Sequence, residues 1–489
     1  MGGATILRVE ATPRRNTVRV LTEWVLLCGV AFLLSFQLFI PPALSVADTN
    51  DFQKLAGKVC LGQYPEPVRF DYTAMRWRFS PAACTAWPFR SSAELALHAA
   101  VGLNRLFTSP VDFDLRWMGA VYAALFLASF VWLQRSLRAV PFAASVAAQL
   151  GFPIVACNAV YVPYLNTFFF DAATLVAITA SLVGVSVLFL RAKVQIGAVL
   201  LTAASLTVLA ASKSQHSLLA VVCIPVFWMR RGRGIFPPLW MRACATAAVL
   251  SGAAIAVGTT PPSYGGQAAF SALFYRILPS VPNPARYLAE TRIPPSYIRF
   301  VGDHAFSPGA PVADLEGRVR FSKMFGESDL SAFFLRHPVI AARMLLIHLN
   351  EASFDRVRMK TGALAHRLGN YERETGKPPQ ALSHFFCFWP AVKHAVIAGR
   401  PRLYLAYILG LVAAAWLLAP GVPGMRALLA TFTAMLAVSL MMVMTDGVES
   451  GRHLMIFNYL LDLLAAAVAV FALCHTRAHR SKDPSEARP

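Results

Sequence analysis

The chain has 489 residues, of which 56% are hydrophobic and only 14% are charged. One soluble core cannot bury that much apolar surface, and the surplus falls in blocks long enough to cross a bilayer. The formal net charge of +20 would suggest a nucleic-acid partner in a soluble protein. Here the basic residues form short clusters beside apolar blocks, as charges that set membrane orientation do, so composition argues against nucleic-acid binding.

The hydropathy pattern predicts an all-α integral membrane protein with about ten transmembrane helices. The first apolar block is longer than a signal-peptide core and has no small-residue cleavage site before Asp48, so we interpret it as a retained helix. The predicted spans are 23–45, 117–134, 140–162, 168–190, 196–212, 216–229, 240–258, 402–419, 427–444 and 453–474. The chain then divides into a cytoplasmic segment 1–22, a membrane part 23–258 that includes an outer loop 46–116, a large extracytoplasmic loop 259–401, a membrane part 402–474 and a cytoplasmic tail 475–489.

The basic residues near the spans fall on alternate sides of the membrane. With the N-terminus inside, the cytoplasmic ends carry Arg14, Arg15, Arg19, Arg135, Arg138, Arg191, Lys193, Arg230, Arg231, Arg233, Arg426, Arg477, Arg480 and Lys482. The positive-inside rule therefore predicts that both termini are cytoplasmic. The long arginine-bearing outer loops favour a bacterial inner (plasma) membrane, although an endoplasmic-reticulum membrane would give the same charge pattern. Lys213 and Arg452 are exceptions on the outer side, where either a function or a snorkelling side chain explains a cation beside a span.

Cys60 and Cys84 both lie in the outer loop 46–116, and they could form a disulfide in an oxidising compartment. The sequence has no CxxC or Cys/His pattern typical of structural zinc. It also has no Walker loop and no GxGxxG signature, which disfavours an ATP-driven or dinucleotide-dependent enzyme.

Acidic residues recur at the outer ends of the predicted spans. Asp48 and Asp51, in "SVADTNDF", directly follow the first span. Such a pair can bind a divalent cation such as Mg²⁺ or Mn²⁺, or accept a proton from an attacking hydroxyl. Asp112 and Asp114 precede the second span, where capping of the following helix is the favoured interpretation for at least one of them.

Two further acids lie inside apolar runs. Asp171, in "YLNTFFFDAATLVA", falls near the outer end of the fourth span, and Asp462 falls about two turns into the last span. A carboxylate in such a position is costly unless it faces a polar cavity or a partner. We expect Asp171 to line a site, whereas Asp462 could also simply pair within the helix bundle.

Cations accompany these acids at two outward turns. The turn "ASKSQHS" carries Lys213 and His216, and "TDGVESGRHLM" carries Glu449, Arg452 and His453. Lysine and arginine at such positions can hold a phosphate, as a point charge and as a bidentate fork respectively. Helix caps and surface ion pairs would explain either turn alone, but recurrence at four outward turns favours one common polar site.

The layout resembles the polytopic glycosyltransferases of the GT-C type, which take a sugar from a polyprenyl-phosphate donor at the outer face. The resemblance rests on the order and sidedness of the acids in "DTND" after the first span, "YLNTFFFD", "SKSQH", a large later outer loop, and "ESGRH" at the last span.

The resemblance implies specific roles for these residues. Asp48 or Asp51 would activate the acceptor hydroxyl, directly or through a divalent cation. Lys213, Arg452 and His453 would face the lipid phosphate. The groups that orient or line this site would be His216, Glu449 and Asp171. The acceptor would be a glycan, a lipid or a protein.

Two other classes of function stay open. One is a multi-pass transporter or flippase for a lipid-linked or anionic substrate, and the other is a noncatalytic membrane protein of the same fold. Transport is disfavoured because the polar residues crowd one membrane face, the outer segments are large and no internal repeat is visible. A catalytic site, unlike a scaffold, requires that Asp48, Asp51, Lys213 and Arg452 converge within about 10 Å.

Overall fold

The computed structural model describes residues 13–138, 140–190, 196–229, 237–353, 368–418, 425–444 and 450–480. Helices make up most of this part of the chain. In chain order they are α1 (Pro13–Leu38), α2 (Gln53–Ala56), α3 (Ala93–Phe107), α4 (Arg116–Leu137), α5 (Phe142–Ala156), α6 (Phe170–Leu190), α7 (Ile196–Ala210), α8 (Ser217–Val221), α9 (Leu239–Gly258), α10 (Pro262–Phe270), α11 (Pro284–Ala289), α12 (Leu315–Met324), α13 (Glu327–Arg336), α14 (Pro338–Ser353), α15 (Phe388–Ile397), α16 (Pro401–Leu418), α17 (Met425–Met444) and α18 (Ser450–Arg480); the strands are β1 (Leu61–Gln63), β2 (Arg76–Phe79) and β3 (Asp112–Asp114).

Seven of the described helices are long and apolar enough to cross a membrane: α1, α4, α6, α9, α16, α17 and α18. The predicted helical membrane fold is thereby confirmed, with three of the predicted spans represented by shorter apolar helices, namely α5, α7 and the run Ser214–Phe227 around α8. That run is broken into short α and 3-10 pieces, and Pro225 within it lacks the N–H that a continuous helix needs. The helices α13 and α14 would make an eighth span together, but they meet at an angle of 111°.

Helix α1 ends at Leu38, earlier than the predicted span, because Pro41 and Pro42 cannot continue it. A buried asparagine then binds the chain at this point. The Nδ2 of Asn166 donates to the carbonyl oxygens of Leu38 and Leu44, each at 2.9 Å. The hydroxyl of Ser45 in turn donates to the carbonyl oxygen of Asn166 at 2.5 Å. This clamp satisfies a carbonyl at the helix end and directs the chain toward Asp48.

The first outer segment contains a small antiparallel sheet in the order β1-β2-β3, which the all-α prediction did not include. Alternate side chains of a strand point to opposite faces, and Trp77 of β2 points inward and is buried. Its ring packs edge-to-face against Phe168 with the centroids 4.8 Å apart. A disulfide joins Cys60 to Cys84 in the same segment. The sheet therefore packs the predicted outer loop 46–116 against the residues that lead into α6.

Residues 369 and 370, in the predicted extracytoplasmic loop 259–401, accept hydrogen bonds from the chain that precedes Asp48. The amides of Ser45 and Ala47 donate to the carbonyl oxygens of Asn370 and Gly369, at 3.2 and 2.9 Å. A Cβ on Gly369 would lie 2.0 Å from the carbonyl oxygen of Asp71, so the close approach requires glycine. The predicted loop 259–401 thus holds the start of the predicted loop 46–116 in place.

A buried ion pair ties α15 to α18. The Nζ of Lys393 lies 3.0 and 3.2 Å from the two carboxylate oxygens of Asp462, and the hydroxyl of Tyr161 donates to the same carboxylate at 2.7 Å. Both charged side chains are at most 1% exposed. Of the two interpretations left open for Asp462, the structure supports pairing within the bundle, with a lysine from the predicted outer loop 259–401.

Replacing Lys393 by Met is expected to lower the free energy of unfolding by about 3–5 kcal/mol, because it leaves the Asp462 carboxylate buried without its cation. Chemical denaturation in detergent micelles, followed by tryptophan fluorescence, measures this loss. The double variant Lys393→Met/Asp462→Leu removes both charges and should regain most of the stability. An equal loss in the single and double variants would contradict the assignment.

Candidate functional site

The carboxylate of Asp51 joins the first outer loop to the last membrane helix. Its Oδ2 lies 2.7 Å from Nη1 of Arg452, and its Oδ1 pairs with the Nζ of Lys54, three residues along the chain. Burial alone would raise the pKa of Asp51, but the charges of Lys54 and Arg452 outweigh burial and hold the pKa well below its usual range. Asp51 is therefore an ionised bridge between two cations.

Arg452 is 5% exposed and belongs to the first turns of α18. Besides Asp51, its Nη1 donates to the hydroxyl of Thr49 at 3.2 Å, and its Nε lies 3.9 Å from Oδ2 of Asp171. Its guanidinium carbon lies 4.6 Å from the centroid of the Phe169 ring, a cation–π distance. The arginine thus contacts Asp51 and Asp171, two of the acids that the sequence predicted at the outer face.

Asp171 lies in the first turn of α6 and is 1% exposed. The helix dipole favours an acid at this position. Its Oδ1 lies 3.6 Å from Nζ of Lys213 and 3.9 Å from Nε2 of His216. The Nδ1 of His216 lies 2.7 Å from the hydroxyl of Thr174, which fixes the imidazole ring.

His453 contacts both cations of the cluster. Its Nε2 lies 3.0 Å from Nζ of Lys213 and 3.4 Å from Nη2 of Arg452, so it can accept a hydrogen bond from either cation. The structure therefore brings six of the predicted site residues into one connected network: Asp51, Asp171, Lys213, His216, Arg452 and His453. Glu449 lies outside the described residues.

Asp48 adjoins this network but plays a different structural part. Its Oδ1 accepts the backbone N–H groups of Asp51 and Phe52, at 2.8 and 3.0 Å, so it caps the turn that carries Asp51. Burial raises the pKa of Asp48, and the nearby charge of Asp51 adds to that rise. Within the described ranges no basic side chain pairs with Asp48. The two acids of "DTND" thus have opposite pKa shifts.

The acids before the second span lie apart from the cluster. Oδ1 of Asp114 accepts the backbone N–H of Arg116 at 2.9 Å, at the start of α4, which is the capping role favoured for one of these acids. Asp112 forms an exposed ion pair with Arg78 at 3.0 Å. Sequence reasoning overlooked Lys54, Thr49 and Thr174; of these, only Lys54 had a local signal, its spacing of three residues from Asp51.

A small cavity opens beside the two histidines. It is lined by Gln215, His216, Ser439, Met442, Val443, His453 and Ile456. The lining mixes polar side chains, namely those of Gln215, His216, Ser439 and His453, with the apolar side chains of Met442, Val443 and Ile456.

The part of the cluster that the structure describes does not offer the ligands of a divalent cation. Among the described residues, no three His, Cys, Asp or Glu side chains are grouped so that they could hold a metal ion. Both carboxylate oxygens of Asp51 already face cations. Positive charge at this site comes from lysine and arginine.

Comparison with known proteins yields one family. The model described as the YfdI N-terminal transmembrane domain matches residues 11–488. No curated protein and no solved structure matches the chain.

Replacing Asp171 by Asn is expected to lower the free energy of unfolding by about 3–5 kcal/mol, because Lys213 and Arg452 then lose a buried counter-charge. The loss is measured by chemical denaturation in detergent. The matched control is Asp112→Asn, which breaks an exposed pair and should cost at most about 1 kcal/mol. Similar losses in both variants would mean that Asp171 does not neutralise the cluster.

Proposed function

The chain belongs to the YfdI N-terminal transmembrane domain family, and we propose that it is a membrane glycosyltransferase, which transfers a sugar from a polyprenyl-phosphate donor to an acceptor on the extracytoplasmic face. The observation that carries the proposal is the buried acid–base network at the ends of membrane helices, next to a small cavity lined by both polar and apolar side chains. Sugar transfer from a lipid phosphate needs a base for the acceptor and positive charge for the leaving phosphate.

Lys213 and Arg452 hold the donor phosphate in this proposal. Their distances to Asp171, 3.6 and 3.9 Å, exceed hydrogen-bond length. A phosphate oxygen would replace these longer contacts with Asp171, while the pair of Arg452 with Asp51 at 2.7 Å stays in place. His216 and His453 border the cavity beside them and add further donors.

We propose that the beginning of the polyprenyl chain passes along the apolar side chains beside the cavity. Met442 and Val443 belong to α17 and Ile456 belongs to α18. These side chains lie next to the histidines that border the proposed phosphate site. The membrane itself supplies the rest of the apolar environment.

Asp48 is the general base in the proposed reaction. The acceptor hydroxyl attacks the anomeric carbon, the bond from that carbon to the phosphate oxygen breaks, and the polyprenyl phosphate leaves with the bonding electrons. The hydroxyl proton passes to a carboxylate. Asp51, with its lowered pKa and two cations, is a weak proton acceptor, whereas the raised pKa of Asp48 suits this role. Asp51 orients Arg452 and Lys54.

We extend the proposal to membrane orientation. Both termini are cytoplasmic and the site faces the outer side of a bacterial inner membrane, as the distribution of Arg and Lys predicts. Sugar donor and acceptor then meet at the membrane–water boundary, where the head group of the donor lies.

Transfer of label from a radiolabelled polyprenyl-phosphate sugar pool, in membranes with equal protein levels, tests the reaction. Asp48→Asn should lower the rate by about 10²–10⁴-fold, as loss of a general base does. Arg452→Ala should lower it by about 10²–10³-fold through loss of charge stabilisation. Asp112→Asn, the matched control, should transfer like the wild type. Wild-type activity equal to that of empty membranes, across several donor sugars, would refute the proposal.

The pH dependence of transfer should report Asp48. A base acts only when ionised, so transfer should fall on acidification, with a midpoint above the ordinary aspartate value of 3.8. Asp51→Asn removes a neighbouring negative charge and frees Lys54 and Arg452, and both changes lower the pKa of Asp48. The acid limb of the residual activity should therefore move to lower pH. If the acid limb of Asp51→Asn kept its midpoint or shifted to higher pH, Asp48 would be excluded as the titrating base.

A further inference from the structure

Helix α15 has the reverse of the side-chain distribution that a helix in water adopts. Its lysine, Lys393, is 3% exposed and faces the protein. Phe388, Val392 and Val396 recur every four residues, so they lie on one face, and their exposed fractions are 74, 41 and 53%. A helix that borders water turns its polar face outward. The distribution in α15 therefore indicates that lipid borders its outer face.

The exposed face of α15 continues the surface of the first membrane helix. Phe32 and Phe36 of α1 are exposed, as expected of a helix that crosses the membrane. The ring of Phe385, just before α15, lies against that of Phe36 with the centroids 4.4 Å apart, and Phe385 is itself exposed. One apolar surface thus runs from α1 over Phe385 to α15. Since lipid surrounds α1, it also reaches α15.

The length and connections of α15 limit how it can lie in the membrane. Its inner face is fixed to the helix bundle by the buried pair of Lys393 and Asp462. The helix has 10 residues, which span about 15 Å, or about half of the hydrocarbon thickness. A turn through Gly399, whose φ is +72°, leads directly to Pro401, the first residue of α16. The segment therefore enters the membrane only from the side on which α16 begins.

Two arginines follow α15 at this turn. Arg400 and Arg402 are exposed, and in the described part of the chain neither forms an ion pair. The Nη1 of Arg400 donates to the carbonyl oxygen of Val396 at 3.1 Å, which holds the guanidinium beside the last turn of α15. An arginine at the end of a lipid-facing helix extends to the level of the head groups. Its paired N–H donors match a phosphate.

We propose that residues 385–402 form a membrane anchor in the leaflet on the side where α16 begins. Phospholipid acyl chains cover Phe388, Val392 and Val396, and Arg400 and Arg402 bind the phosphate of anionic head groups. The sequence analysis assigned most of this segment to the extracytoplasmic loop 259–401, because hydropathy averages over all faces of a helix. The anchor does not depend on the proposed transferase function.

Fluorescence quenching at introduced cysteines tests the acyl-chain contact. The full-length chain keeps only its two disulfide cysteines, and Val392→Cys or Val396→Cys carries the fluorophore NBD, in liposomes of phosphatidylcholine and phosphatidylglycerol. A nitroxide on the acyl chain quenches a fluorophore in lipid, whereas iodide quenches one in water. The matched controls are Leu250→Cys, on the membrane helix α9, and Glu316→Cys, at an exposed residue of the polar helix α12.

We expect the nitroxide lipid to quench both α15 positions as strongly as Leu250→Cys, and iodide to quench only Glu316→Cys. Iodide quenching at the α15 positions as strong as at Glu316→Cys would place α15 in water and overturn the anchor. Resistance to both quenchers would mean that protein covers this face, which would also overturn it.

The arginines are tested at the same label on Val396→Cys. The ratio of quenching by nitroxide phosphatidylglycerol to quenching by nitroxide phosphatidylcholine reports how strongly the anionic lipid is enriched there. Arg400→Gln/Arg402→Gln should lower this ratio, since each arginine strengthens association with an anionic lipid by about fivefold. Arg320→Gln, at an exposed arginine of α12, should leave the ratio unchanged. An unchanged ratio in the double variant would overturn the head-group contact.

Discussion

The pair of Asp51 and Arg452 is the contact on which the site depends, because it joins the first outer loop to the start of the last membrane helix at 2.7 Å. Taking both charges out of water costs several kcal/mol per ion. The cost is offset only because each partner has further contacts: Lys54 on Asp51, and Thr49 and the Phe169 ring on Arg452. The cluster therefore forms only when the first outer loop packs against the membrane helices.

The outer segments make this arrangement rigid. Asn166 donates hydrogen bonds to the chain where α1 ends. The carbonyl groups of residues 369 and 370 accept hydrogen bonds from the next few residues. Asp48 then caps the turn that presents Asp51. Each step satisfies buried backbone groups that would otherwise be left without partners. A scaffold of this kind holds charged groups in fixed positions, as charge stabilisation in a transition state requires.

The distribution of buried charge also separates the proposed transferase from a transporter. A proton-coupled path would need titratable groups at successive depths of the membrane. Asp462, the acid deepest in the last helix, is instead held by Lys393 and the hydroxyl of Tyr161. The described acids of the network, Asp51 and Asp171, lie together near helix ends, close to the small cavity beside the histidines. This geometry favours chemistry on a lipid-linked substrate at one face.

Hydropathy and charge, which act over one helix length, were enough to predict the helical membrane class and most of the long spans, and they placed the site residues near helix ends. The sequence also indicated Asp51, Asp171, Lys213 and Arg452 as one site, although Glu449 lies outside the described residues. Pro41 and Pro42 already mark the end of α1 in the sequence. Folding alone brought together the three strands of the sheet, the pair of Lys393 and Asp462, and the neighbouring rings of Phe36 and Phe385. These features join residues far apart in the chain, so no local pattern encodes them. The opposite pKa shifts of Asp48 and Asp51 have the same origin, since burial and distant cations exist only once the chain has folded.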